Sequence, residues 1–144
     1  MFRRRTPFSA LALVGAVGAT LAMSGAAGAA TELDAELSGN KEVPKAGNGT
    51  GSARVTLMPD RRRICYRITL RRVGTAAAGH IHKGGPSTAG PIVVPLFEQA
   101  TRRPRGCASA SRSVIRAIRR NPSRYYVNVH TGAYPAGAAR GQLH

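Results

Sequence analysis

The stretch Ser52-Ala53-Arg54-Val55-Thr56-Leu57-Met58-Pro59-Asp60-Arg61-Arg62-Arg63-Ile64-Cys65-Tyr66-Arg67-Ile68-Thr69-Leu70-Arg71 decides the fold class. Successive side chains of a strand point to opposite faces. Ala53, Val55 and Leu57 therefore share one face, with Arg54 and Thr56 on the other. After Pro59-Asp60, Ile64, Tyr66, Ile68 and Leu70 share a face opposite Arg63, Cys65, Arg67, Thr69 and Arg71. Two alternating runs joined by a Pro-Asp turn predict a β-hairpin.

The same period extends outward from that hairpin. Leu33, Ala35 and Leu37 alternate with Glu32, Asp34 and Glu36. His80-Ile81-His82, Ile92–Phe97, Tyr125–His130 and Ala139–Leu143 give further short strands, about seven in all. Gln99 to Gly106 is basic and broken by proline, so it is expected as a surface loop. Only Ser111 to Arg120 departs from the period. Val114, Ile115 and Ile118 recur at helical spacing, Asn121-Pro122 stops the run, and Ser109 or Ser111 can cap it. The expected architecture is all-β, a sandwich with one short helix.

The N-terminus reads as a targeting segment. Arg3, Arg4 and Arg5 precede an apolar stretch from Phe8 to Met23, and Ala27-Gly28-Ala29 fits a small-residue cleavage site. This pattern is a secretory signal peptide over residues 1–30, leaving one domain over 31–144. The apolar run is shorter than the roughly 20 residues that span a bilayer, so no membrane span is expected after cleavage. The protein is expected to be secreted, or extracellular at the cell envelope, and monomeric. In that setting Cys65 and Cys107, the two cysteines of the chain, are expected to form a disulfide. In the chain-entropy model the bond is worth roughly 3–4 kcal/mol.

Charge narrows the partners. The chain carries 22 basic and 6 acidic residues; without the three leader arginines, 19 basic residues remain. Such a surface attracts polyanions in a salt-sensitive way. Export excludes nucleic acid as a partner and leaves an anionic envelope polymer or an extracellular protein.

His80 and His82 lie on one strand face, opposite Ile81. On the late strand Val127 and Val129 take the core, so Tyr126, Asn128 and His130 look away from it. Three imidazoles on a common solvent-facing patch suit copper or zinc at an open site. One ion would require their nitrogens within roughly 3–4 Å of each other. Asn128, Arg140 and Gln142 are candidate supporting groups around them. The alternative is structural: each ring donates to a backbone carbonyl and pins the loop from Gly84 to Gly90. His144, the last residue, is expected as a frayed terminal side chain. No serine sits in a Gly-x-Ser-x-Gly setting, and the carboxylates suggest neither a paired-acid hydrolase nor a calcium loop. No catalytic residue is assigned, and an enzyme is not the favoured reading.

Four stretches carry a family resemblance. They are Leu37-Ser38-Gly39-Asn40-Lys41-Glu42-Val43-Pro44, Gly79-His80-Ile81-His82-Lys83-Gly84, Tyr125-Tyr126-Val127-Asn128-Val129-His130-Thr131 and Arg140-Gly141-Gln142-Leu143. In this order the chain resembles a CHRD (chordin-type) domain, of the kind found alone in exported bacterial proteins, over about Leu33 to Leu143. The resemblance implies an immunoglobulin-like or superoxide-dismutase-like Greek-key β-sandwich. More loosely the chain is similar to copper/zinc superoxide dismutase, which by position would make His80, His82 and His130 copper ligands. The pattern departs from that enzyme in lacking a bridging histidine and a zinc-side set. Two functions of different class therefore stand open. One is a non-enzymatic extracellular binding or structural module with a cationic surface. The other is a copper-binding metalloprotein using the three-histidine face.

Overall fold

The computed structural model describes residues 29–144; the leader reading falls outside the described residues. Eight strands form in chain order: β1 Thr31–Ser38, β2 Thr50–Met58, β3 Arg63–Arg71, β4 Ala78–Lys83, β5 Ile92–Phe97, β6 Arg105–Ser109, β7 Tyr125–His130 and β8 Ala139–Gln142. One helix, α1 Arg112–Arg120, lies between β6 and β7. The all-β expectation with one short helix is met. The strands join in one antiparallel sheet of order β5-β4-β7-β8-β1-β2-β3-β6, curled so far that its two end strands touch. The sheet is nearly a barrel, not two separately laddered layers.

Alternation sets the core. Leu33, Ala35, Val55, Leu57, Ile64, Ile81, Val94, Val127, Val129 and Ala139 are all buried and gather in one cluster. Fully burying each Val, Leu or Ile among them contributes about 1.5–3 kcal/mol. The β2–β3 hairpin registers Leu57 on Ile64 and Met58 on Arg63. Its turn closes with the Arg62 amide donating to Pro59 O at 3.2 Å, Arg62 taking φ 51°. Ser111 caps α1, its hydroxyl accepting from Val114 N at 3.2 Å, and Ile115 and Ile118 enter the core.

Two segments differ from the sequence expectation. The basic loop gives way at Arg105 to β6, an eighth strand. It shows no apolar alternation because it lies at the sheet end with most residues exposed. Pairing with β3 makes it a strand: Cys107 stands directly opposite Cys65, and the two form the expected disulfide. Their Cα atoms are 3.9 Å apart, below the usual 4.4–6.8 Å range. His144 is not frayed along its backbone, which exchanges two 3.0 Å hydrogen bonds with Asp34. Its side chain is exposed. No helix among the described residues is long and apolar enough to cross a membrane.

Candidate metal centre

The centre is built on the β4–β7 ladder. Register pairs Ala78 with His130, His80 with Asn128 and His82 with Tyr126, and Asn128 in turn faces Arg140 on β8. These residues share the face opposite Ile81, Val127 and Val129. The structure corrects one property of that face. It is not open to solvent: His80 is 7 % and His82 is 8 % exposed, and His130 is half-buried. Loops fold over it from both sides. Gly84 to Gly90 returns across His82, and the turn after His130 brings Pro135 back to that ring.

Each imidazole has an outer nitrogen with a fixed partner. His80 Nε2 lies 2.7 Å from Glu98 Oε1, His82 Nδ1 2.8 Å from Gly90 O, and His130 Nδ1 3.0 Å from Pro135 O. Carbonyls and an exposed carboxylate accept, so the rings donate and the outer nitrogens carry the protons. A neutral imidazole has one proton. The inner nitrogens, His80 Nδ1, His82 Nε2 and His130 Nε2, are left as lone pairs.

The inner nitrogens converge. His80 Nδ1 and His130 Nε2 are 3.0 Å apart, and one ring nitrogen from each histidine lies within 4.8 Å of the others. His82 Nε2 is buried without a hydrogen-bond partner. Leaving such an atom unpaired costs about 1–3 kcal/mol. The close pair needs a proton or a cation between its lone pairs. Burial, the largest cause, lowers the pKa of His130, which disfavours a second proton on that ring, and it lowers the pKa of His82 as well. The donor set thus fits an imidazole-binding cation. The 3.0 Å pair meets the expected spacing, whereas the widest separation exceeds it. Nitrogens bound at about 2.0–2.1 Å to one ion can be no more than about 4.2 Å apart, so one ring must close by about 0.6 Å.

Asn128, Arg140 and Gln142 surround the centre, and their hydrogen bonds go to groups other than its imidazoles. The Asn128 amide lies 3.5 Å from Glu42 Oε2. Arg140 donates to Thr88 O and Gly85 O, each at 2.9 Å, and Gln142 donates to Gly84 O at 3.0 Å. Both therefore hold the covering loop. Arg140 also stacks 3.4 Å over the Tyr126 ring, which stacks on His82 at 5.0 Å and accepts from Gly90 N through its hydroxyl. The structural alternative is met in part: His82 does pin the loop, while His80 goes to a carboxylate and His130 to a different turn.

Sequence reasoning missed Glu98 and Glu42, and it placed Tyr126 on the histidine face without giving it a role. Glu98 stands one residue past β5, and nothing local marks it as a histidine partner. Glu42 is 5 % exposed, beside Asn128 and Arg140, and Gly137 at φ 146° lets the chain pass where a Cβ would meet its carboxylate at 2.4 Å. Burial pushes its pKa up to about 7, against the pull of Arg140 and the Asn128 hydrogen bond. Its Oε1 and Asn128 Oδ1 have no hydrogen-bond partner.

Residues 33–143 match a family model described as the CHRD domain. No curated protein and no solved structure matches the chain.

Proposed function

Because the chain belongs to the CHRD-domain family, we propose that it is an exported binding module whose three-histidine centre takes one copper ion. The observation that carries this reading is the pinning of all three outer nitrogens, which leaves the inner nitrogens turned toward one another. Imidazoles whose second nitrogen is already donated to a fixed acceptor are oriented, more basic ligands.

Two arguments favour copper. Among first-row divalent ions a nitrogen site binds Cu(II) most tightly. Bound nitrogens stand about 2.9 Å apart at a right angle and about 3.4 Å at a tetrahedral one, and the 3.0 Å pair fits the former. A bound copper, held by His80, His82 and His130, would supply a Lewis-acidic, redox-active centre. The chain's own part is to hold the lone pairs, exclude competing protons and keep the rings covered. Export is supported by the leader pattern and by the disulfide, and the superoxide-dismutase-like Greek-key reading of the strands belongs to the same proposal.

The test is a Cu(II) titration of the purified protein, wild type and His130→Ala, followed by electron paramagnetic resonance. One equivalent should bind with nitrogen hyperfine structure, and the variant should lose it. Binding below one equivalent, or unchanged in the variant, would end the copper reading.

A further inference from the structure

Four arginines surround a second site, away from the histidines. Arg67, Arg102, Arg103 and Arg105 line a cleft of about 360 Å³ between β3 and the segment leading into β6. All four are exposed, and no carboxylate shares the lining. Arg67 and Arg105 stand directly opposite each other in the β3–β6 register. Like charges at opposed strand positions repel.

Four of the six acidic groups are engaged elsewhere, and the other two, Glu32 and Glu36, line with Asp34 and Arg54 a neighbouring cleft that Arg67 also borders. Asp34 pairs with Arg54 at 2.9 Å, Glu98 lies on His80, Asp60 is 4.0 Å from Arg112, and Glu42 is buried beside Asn128. Arg67 thus borders both clefts, while Arg102, Arg103 and Arg105 concentrate positive charge in the one whose lining holds no carboxylate.

Its backbone is fixed in advance. Ile68 N donates to Pro104 O at 2.8 Å. The Cys65–Cys107 disulfide ties both strands two residues from the opposed pair. Thr101 bridges to Ala76, and its hydroxyl accepts from Arg103 N at 3.1 Å. Arg102 Nε donates to Thr75 Oγ1 at 3.3 Å. A rigid frame lowers the ordering cost of binding. The guanidinium fork matches the oxygens of a phosphate two at a time, which a lysine cannot do.

We propose that Arg67, Arg102, Arg103 and Arg105 form a binding cleft for a phosphate-bearing polyanion. This narrows the general attraction of a cationic surface to one place and one chemical class. It does not depend on the metal centre, which uses other strands.

The test is calorimetric titration with inorganic tripolyphosphate, comparing wild type with Arg67→Gln/Arg105→Gln and Arg102→Gln/Arg103→Gln. Arg119→Gln/Arg120→Gln removes the same charge from the exposed end of α1 and serves as control. Each cleft pair should lose roughly ten-fold or more in affinity, and the helix pair less than about three-fold. Equal losses in cleft and helix variants would reduce the effect to net charge and overturn the proposal. Polyglutamate binding as tightly as tripolyphosphate, at matched charge and salt, would overturn the phosphate class. All six arginines are exposed, and unchanged melting temperatures confirm that the variants fold.

Discussion

His82 donates from Nδ1 to the carbonyl oxygen of Gly90, 2.8 Å away, and this bond decides which of its nitrogens faces His80 and His130. The partner is eight residues along the chain, at the end of the loop that covers the ring. The loop is therefore part of the centre. Its own anchors, Arg140 and Tyr126, reach His82 by stacking, through this backbone and, for Arg140, through its charge.

Gly90→Val should break the arrangement at its root. Even a Cβ at this position would meet Lys83 O at 1.8 Å, so the loop must move. Copper affinity should fall about 10–100-fold, the usual cost of losing a ligand's outer partner. In the metal-free protein, long-range proton–nitrogen correlation should show His82 no longer held in one tautomer. Unchanged affinity would mean the loop has no hold on the ring.

Glu98→Gln tests the second outer partner, the carboxylate 2.7 Å from His80 Nε2. The amide still accepts through its oxygen but carries no charge. Copper affinity should fall about ten-fold, with the protein still folded, because Glu98 itself is exposed. Titration of the two proteins side by side checks this.

Glu42 contributes stability that falls as pH rises, opposite in sign to the buried His82 and His130. Its pKa is about 7 when folded and near 4.5 when unfolded. Between those values the folded state binds more protons, so stability falls as pH rises. The contribution is fully present below pH 4.5 and lost as pH passes 7, about 3 kcal/mol in all. Glu42→Gln should remove this part of the pH dependence. Urea unfolding of both proteins from pH 5 to 8 should show the difference curve; parallel curves would contradict it.

Arg140→Ala removes a guanidinium that is 2 % exposed and holds two loop carbonyls. Stability should drop by about 2–4 kcal/mol by denaturant titration. Losing this cation should also push the Glu42 midpoint above its present value of about 7, since Arg140 now pulls it down.

Replacing both cysteines by serine should cost about 4 kcal/mol, the chain-entropy value for residues 42 apart. Copper affinity should stay within about three-fold, because the ligands stand on β4 and β7 and the disulfide joins β3 to β6. Calorimetric melting and copper titration of the same variant separate the two effects.

Strand alternation made most of this legible. Leu33 through Leu37, the Ala53–Leu70 hairpin and the Val127/Val129 pair fell on the expected faces, because apolar burial imposes a period of two. The His80, His82 and His130 convergence followed from that period once β4 and β7 paired. What stayed hidden depends on backbone or tertiary closure. The carbonyls of Gly90 and Pro135 carry no side-chain signature. β6 exists through its partner strand and a disulfide, not through its own pattern. The covering of the histidine face had a weak signal: Tyr126 and Arg140 are large groups on that face, and a glycine-rich stretch follows His82. Stacking on each other and gripping that stretch, they account for a burial that polarity alone would not suggest.

The sheet curls until β5 and β6 touch, yet no ladder joins them; the nearest closing bonds are those between Ala76 and Thr101. The circle is thus open along that seam and thinly stitched between β1 and β8, whose register is the single pair Ser38 and Arg140. Amide exchange should begin along the β5–β6 seam, where no ladder bond holds the strands. Glu98 sits just past the end of β5, at the margin of that seam, so the same parting would loosen His80 first and give an ion its way in.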